Sequence, residues 1–396
     1  MIYILGRQPA IGLAELESLY DSKNLRPVGN HAALVDTSDP INFGRIGGAL
    51  KAGTVLATID STDLNAIKKQ LEHILSTHLN GLVEGKFKLG ISCYGLDLSP
   101  AKINALGLGL KKVIKASGRS VRLIPNPKKT LNSAQVLNNK LTSELGCELL
   151  LVRDGMNTII AQTTAVQDID SYTLRDRGRP KRDARVGMLP PKLAQTIINL
   201  TGATAWTNIL DPFCGTGVLL QEGWLMDLDV CGSDIDPRMV DYSKSNLAWI
   251  NEKFGDPQNG GIDSAFKVEV ADATRDAFPQ SFNPKGYDAV ASEIYLGRPF
   301  TSVPDKEILQ KTIHDCDTIL KKFLKNLAGQ TKTGTRMCLA IPAWFVGKDV
   351  HHLKTLDQLS DLGYNRISFV HSDNKDLIYH RDDQIVGREL LVISRK

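Results

Sequence analysis

The chain has 396 residues, more than one typical hydrophobic core holds, so two or three domains are expected. Hydrophobic residues make up 42%, which excludes a disordered composition. A net charge of +4, from 48 basic and 44 acidic residues, permits a nucleic-acid partner without arguing for one. The N-terminus lacks the shape of a signal peptide, and no charge-free apolar run is long enough to span a bilayer. A cytoplasmic protein with no membrane association is therefore expected. The six cysteines show neither C-x-x-C nor zinc spacing, so reduced buried thiols and no metal are expected.

Three regions follow along the chain. Residues 1–80 read as an α+β module: a strand at 2–5, a helix with Ile11, Leu13, Leu16 and Leu19 at helical spacing, a strand at 54–59, and a helix ending near 78. Residues 81–170 read as a second module. It has strands at 87–94 and 120–124, a helix capped by Ser99, a helix at 131–145, and a hairpin turning at Asp154-Gly155. Residues 171–186, rich in Arg, Lys, Asp, Gly and Pro with no apolar period, read as a basic linker. From 187 to 396 strands alternate with helices. Strands are predicted near 207–211, 229–233, 266–270, 288–292, 336–341, 367–371 and 389–394. This pattern implies a mainly parallel sheet covered on both faces, with the last two strands as an antiparallel hairpin at its edge.

The most informative segment is Asn208-Ile-Leu-Asp-Pro-Phe-Cys-Gly-Thr-Gly217. A strand ends at Asp211 and a helix opens near Gly217; Gly215 and Gly217 admit close approach of a ligand where a Cβ would collide. The turn lacks the lysine of a P-loop and the third glycine of a dinucleotide site. Asp211 would repel a pyrophosphate but can meet the ammonium of an amino-acid ligand. Asp234, in Val230-Cys-Gly-Ser-Asp-Ile-Asp236, ends the next strand at the distance expected of a ribose-binding acid. Asp272, in Val270-Ala-Asp-Ala-Thr274, ends the strand after that and could accept from an adenine amine.

These three strand-end motifs resemble the Rossmann-type S-adenosylmethionine-dependent methyltransferases. The resemblance implies S-adenosylmethionine as cofactor, bound by Asp211, Pro212, Phe213, Cys214, Gly215, Gly217, Asp234, Ile235, Asp272 and Ala273. The fourth strand leads into Asp288-Ala-Val-Ala-Ser-Glu-Ile-Tyr-Leu-Gly297, where amino-group methyltransferases carry Asp/Asn-Pro-Pro-Tyr/Phe. Both prolines are absent, so two registers stand open: Glu293 as amine acceptor with Tyr295 displaced by one position, or Tyr295 in the aromatic place with Ser292 as acceptor. Glu293 is preferred, because a carboxylate accepts more strongly than a hydroxyl. Glu293 and Tyr295 are the predicted catalytic pair, Tyr295 as the face that stacks the target base.

The chain is further similar to the THUMP-domain tRNA guanine-N2 methyltransferases. The likeness lies in Leu5-Gly-Arg-Gln-Pro9 with Leu13-Ala-Glu-Leu-Glu17, in Thr173-Leu-Arg-Asp-Arg-Gly-Arg-Pro180, and in Gly187-Met-Leu-Pro-Pro-Lys-Leu-Ala194. It implies an α/β protein: a seven-stranded Rossmann-like methyltransferase sheet with its last strand antiparallel, preceded by ferredoxin-like and THUMP modules. It also implies transfer to the N2 amine of a tRNA guanosine, often at position ten. Arg175, Arg177, Arg179, Lys181 and Arg182, with Arg185, Pro190 and Lys192, would guide the RNA, aided by a second basic run from Lys111 to Lys129. Competing readings are an amino-methyltransferase of rRNA or DNA, and an RNA-binding relative that has lost its chemistry. A monomer and a pairing with a small activator subunit both stay open.

Overall fold

Leu149, Leu150, Leu151 and Val152 are four consecutive apolar residues, all fully buried, as a strand covered on both faces requires. They lie in the first of two units of a computed structural model, which describes residues 1–78, 85–183, 188–255, 266–281, 286–300 and 302–396. The first unit comprises Met1–Leu13, Tyr20–Gly44 and Gly48–Asp170; the second comprises Ala14–Leu19, Arg45–Gly47 and Ser171–Lys396.

The first unit is built on strands β1 (Ile2–Leu5), β2 (Leu25–Val28), β3 (Ala32–Val35), β4 (Ala49–Ile59), β5 (Phe87–Tyr94), β6 (Val121–Leu123), β7 (Gly146–Asp154) and β8 (Asn157–Val166). They form one sheet in the order β2-β3-β1-β4-β8-β7-β5-β6. The two modules read at 1–80 and 81–170 therefore share a single sheet, joined where β4 pairs antiparallel with β8. The buried ion pair of Lys51 and Glu148 ties the same two stretches; Ser92 and Thr163 each donate to Glu148 at 2.6 Å, so the charges are satisfied. The division read between residues 80 and 81 falls outside the described residues.

Helices α1 (Pro9–Tyr20), α2 (Leu64–His78) and α3 (Pro100–Ala116) stand where apolar spacing predicts them, and Ser99 caps α3 through the Lys102 amide at 3.3 Å. The helix expected at 131–145 is only α4 (Ser133–Asn138), opened by a capping box between Asn132 and Gln135. Strands β2 and β3 carry no alternation long enough to be read in advance.

The second unit adds α5 (Ile169–Arg177), α6 (Pro191–Leu200), β9 (Asn208–Asp211), α7 (Val218–Leu225), β10 (Asp229–Asp234), α8 (Pro237–Phe254), β11 (Phe266–Val270) and β12 (Ala289–Glu293). It continues with α9 (Lys306–Ala328), β13 (Arg336–Val346), β14 (Asp349–His351), β15 (Tyr364–Arg366), β16 (Ile378–Tyr379) and β17 (Val386–Arg395). The sheet runs β11-β10-β9-β12-β13-β17-β15, with β14 on β13 and β16 on β17, so two short strands join the seven expected. The strands from β11 to β13 are parallel, and chain order reverses beside β9, the switch point where ligands bind in open α/β sheets.

The antiparallel pair expected from the last two predicted strands is present at the sheet edge, where β17 lies antiparallel between β13 and the outermost β15. One expectation is corrected. The strand predicted at 367–371 ends at Arg366; beyond it the amides of Val370 and His371 donate to the Glu17 carboxylate at 2.8 and 3.0 Å instead of to a neighbouring strand. In α9 the buried residues Leu309, Thr312, Cys316, Leu320, Phe323, Leu324 and Leu327 make one helical stripe, which joins Leu339, Ile341 and Trp344 of β13 in the core. All six cysteines are buried thiols outside any disulfide.

Candidate functional site

β9 is a short, fully buried strand whose end delivers Asp211 to the carboxyl edge of the sheet. The turn that follows needs glycine twice. Gly215 has φ +51° and Gly217 has φ +79°, both left-handed. A Cβ on Gly217 would come within 2.8 Å of Ser243 Oγ and 3.1 Å of its Cα. The Gly215 amide donates to Asp234 Oδ2 at 2.9 Å, and the Asp236 amide donates to Asp234 Oδ1 at 2.9 Å. Asp234 thus fixes the glycine turn while burial pushes its carboxyl above the usual range. Asp272 is set the other way: hydrogen bonds from the Thr274 hydroxyl and amide, at 2.7 and 2.9 Å, hold its carboxyl below the usual range.

A cavity of about 680 Å³ opens beside this turn. Asp211, Pro212, Phe213, Cys214, Gly215, Asp234, Ile235, Asp272 and Ala273 all line it, as does the predicted pair Glu293 and Tyr295. Gly217 does not; it sits one step behind, as the left-handed residue from which α7 starts. Phe213 is locked edge-on to Phe323 of α9, with ring centroids 5.0 Å apart. Burial pushes the Cys214 thiol well up, which makes it an inert wall rather than a nucleophile.

Asp211 is buried and accepts from Ser292 Oγ at 2.6 Å and from the Phe213 amide at 3.2 Å. Burial pushes its carboxyl up to about 7; the Ser292 and Phe213 hydrogen bonds oppose that rise, and the charges of Asp234 and Glu293 add to it.

The two registers of the 292–297 segment separate in space. Ser292 is fully buried with its hydroxyl committed to Asp211, whereas Glu293 reaches the cavity wall and forms an ion pair with Arg388 of β17. Tyr295 is 47% exposed at the cavity wall, with burial raising its hydroxyl pKa. Gly297, at φ +82°, takes the segment past α9, where a Cβ would meet Thr312 Cγ2 at 2.7 Å. Trp344 lies against the same glycine as a fully buried core residue, and Phe300 is half-buried beneath the Arg298 guanidinium.

The basic segment divides sharply. Arg177, Lys181 and Arg182 are exposed. Arg175 and Arg179 are buried, which corrects their assignment to RNA contact. Arg175 Nε donates to Glu222 Oε1 at 2.7 Å; Gln195 donates to the other Glu222 oxygen at 2.9 Å, and the Tyr172 hydroxyl donates to Gln195 at 2.6 Å. This network makes residues 169–177 a helix, where a linker was expected. Polar residues occupy its inward face, so no apolar period marks it. Lys181 exchanges backbone hydrogen bonds with the Asn246 side chain, at 3.0 and 2.9 Å.

Pro190 and Lys192 do not line the cavity either. Lys192 is half-buried over the Tyr172 ring, and of that stretch Leu189 is the residue in the cavity wall. Arg185 and Gly187 lie outside the described residues. Reading the sequence also missed Arg298 in the wall and Arg388 behind it. Arg298 follows the 292–297 segment directly and could have been read with it; Arg388, on a distant antiparallel strand, carries no local signal.

Fold and site together define a class: an open, mainly parallel Rossmann-like α/β sheet whose glycine turn and neighbouring acids surround one cavity. Residues 179–252 match the family model described as UPF0020, RMKL-like, methyltransferase domain. The tRNA (guanine(10)-N2)-dimethyltransferase of Pyrococcus abyssi is 34% identical over 162 residues, 41% of this chain and 41% of that protein. The enzyme of the same name from Methanothermobacter thermautotrophicus is 31% identical over 156 residues, 39% of each. The chain thus spans about two fifths of the length of these curated relatives, and over that share the likeness to tRNA guanine-N2 methyltransferases holds. Among solved structures, TrmN from Thermus thermophilus has a TM-score of 0.53 at 15% identity, covering 100% of this chain and 99% of that one. SMU.472, complexed with SAH, has a TM-score of 0.50 at 12% identity, covering 100% and 97%. At these identities the two structures share the fold.

Proposed function

We propose that the chain is an S-adenosylmethionine-dependent methyltransferase acting on the exocyclic N2 amine of a guanosine in tRNA. The observation that carries this reading is the meeting, in one cavity, of the glycine turn, three strand-end acids and the Glu293–Tyr295 pair. The donor set fits the cofactor. Asp211 suits its ammonium, Asp234 its ribose and Asp272 its adenine amine, and the 65%-exposed Ile235 offers an apolar face at the rim. When bound, the cofactor supplies a methyl group already activated on a sulfonium.

The chain's own residues then need only to position the amine and meet the charge that develops on it. Glu293 accepts a hydrogen bond from N2–H as positive charge grows on that nitrogen. Tyr295 offers its ring to a base extruded from its stem. The relatives named above act on guanine 10, which makes that nucleotide the first to test. The exposed cations of the first unit and of the 177–182 segment serve as phosphate contacts, consistent with a THUMP-like role for residues 81–170 and with a cytoplasmic enzyme. No helix among the described residues is long and apolar enough to cross a membrane.

The test is methyl transfer from labelled S-adenosylmethionine to unmodified tRNA, followed by nucleoside analysis. Label is expected in N2-methylguanosine or its dimethyl form. Label confined to another nucleoside refutes the assigned target, and no label in any RNA refutes the activity.

A further inference from the structure

Glu293 ends β12 and Arg388 lies on β17, with β13 between them in the sheet. Their ion pair therefore bridges two strands that are not neighbours, through the Arg388 Nε and Glu293 Oε1 atoms. Arg388 and Glu389 alternate to opposite faces of β17, and Glu389 is engaged separately, by His352 at 2.6 Å and Arg366 at 3.0 Å. Arg388 thus lies on Glu293's side of the sheet and is the cation paired with it. Both side chains are largely buried, at 10% and 15% exposed, so the pair escapes most solvent screening. Among the described residues Glu293 Oε2 has no hydrogen-bond partner and remains available as an acceptor at the cavity wall.

Asp211, Asp234, Asp236 and Asp272 line the same cavity, so Glu293 shares its surroundings with four further carboxylates. Left alone, a flexible glutamate among these acids would rotate away from them toward solvent. A guanidinium holding one oxygen in place is what keeps the other turned to one use.

We infer that Arg388 is a positioning residue for methyl transfer: it grips Oε1 of Glu293 across β13 and so presents Oε2 to the target amine. This rests on the acceptor role proposed for Glu293. An acceptor fixed before the reaction requires no reorganisation as charge develops on the amine nitrogen.

A double-mutant cycle on the full chain tests it, with Arg388→Gln, Glu293→Gln and the double variant assayed on unmodified tRNA at saturating cofactor. Arg388→Gln is expected to lower kcat on the order of a hundredfold, as displacing a reacting group by about 1 Å does. KM for tRNA and the calorimetric affinity for S-adenosylmethionine should stay at wild-type values. Arg388→Lys should recover part of the loss. In the Glu293→Gln background, Arg388→Gln should cause no further loss.

Additive losses, or a loss of cofactor affinity that matches the loss of kcat, overturn the positioning role alone. Wild-type turnover in Glu293→Gln overturns the acceptor and the positioning role together. A wild-type chain that makes no N2-methylguanosine removes the reading beneath both. Should Arg388→Gln not fold, Arg388→Lys carries the same cycle.

Discussion

Asp211 sits where a cation is expected, yet burial pushes its carboxyl up to about 7. Binding an ammonium there requires the ionised form, so below pH 7 cofactor binding must also expel a proton. Affinity for S-adenosylmethionine is therefore expected to rise as pH climbs from 6 to 8, with up to about a tenfold loss per unit below the midpoint. Without cofactor the sign reverses. A carboxyl whose folded pKa exceeds its unfolded one stabilises the fold at low pH, and that contribution is lost as pH rises through about 7. The Ser292 hydroxyl, 2.6 Å from Oδ1, is the strongest opposing influence. A hydrogen bond to a charged group contributes roughly 1.5–3 kcal/mol, so Ser292→Ala should move the midpoint of cofactor affinity up by about one to two pH units. Calorimetric titration between pH 6 and 9 reads this directly; a midpoint that stays in place rules out Asp211 as the titrating group.

At the scale of elements, α5 separates appearance from role. It is rich in arginine, as an RNA-tracking segment would be, but Arg175 is committed to Glu222, a carboxylate that is 1% exposed. Removing one partner of a buried pair leaves the other charge uncompensated, so Arg175→Ala should cost about 3–5 kcal/mol in urea unfolding. Arg177→Ala, on the exposed face, should stay within about 0.5 kcal/mol. Equal midpoints for the two variants would return Arg175 to the RNA-facing set.

The same helix shows why sequence reading reaches only part of a structure. Apolar periodicity reports elements whose inward face is hydrophobic, so α1, α2, α3 and the parallel strands β9 to β13 were legible within a few residues. An inward face of Tyr172, Arg175 and their partners carries no such signature. The acids were legible because Asp211 and Asp234 close β9 and β10 and Asp272 follows the end of β11 by two residues. The pairing of β17 with β13 was not, since neighbours in a sheet are set by packing and not by adjacency in the chain. Arg388 was hidden for that reason: its relation to Glu293 exists only once β13 has come between them.

At the scale of the whole molecule, a net charge of +4 means that any affinity for RNA must come from where cations are grouped. In the first unit, α3 exposes Lys112 and Lys115, and the stretch after it exposes Arg122, Lys128 and Lys129. Among the described residues, those lining the cavity all belong to the second unit. If the first unit binds phosphates, binding and chemistry should come apart on substitution. The double change Lys112→Glu with Lys115→Glu is expected to weaken tRNA binding whatever the sequence around the target guanosine. It should also flatten the dependence of log Kd on log salt by roughly 0.7–0.9 for each phosphate no longer neutralised. At saturating tRNA kcat should hold, because neither lysine reaches the cavity. Filter binding across a salt series, set beside single-turnover rates, separates the alternatives. An unchanged salt slope assigns these lysines to a solvated helix face, and a fall in the saturated rate would mean that they help seat the guanosine itself.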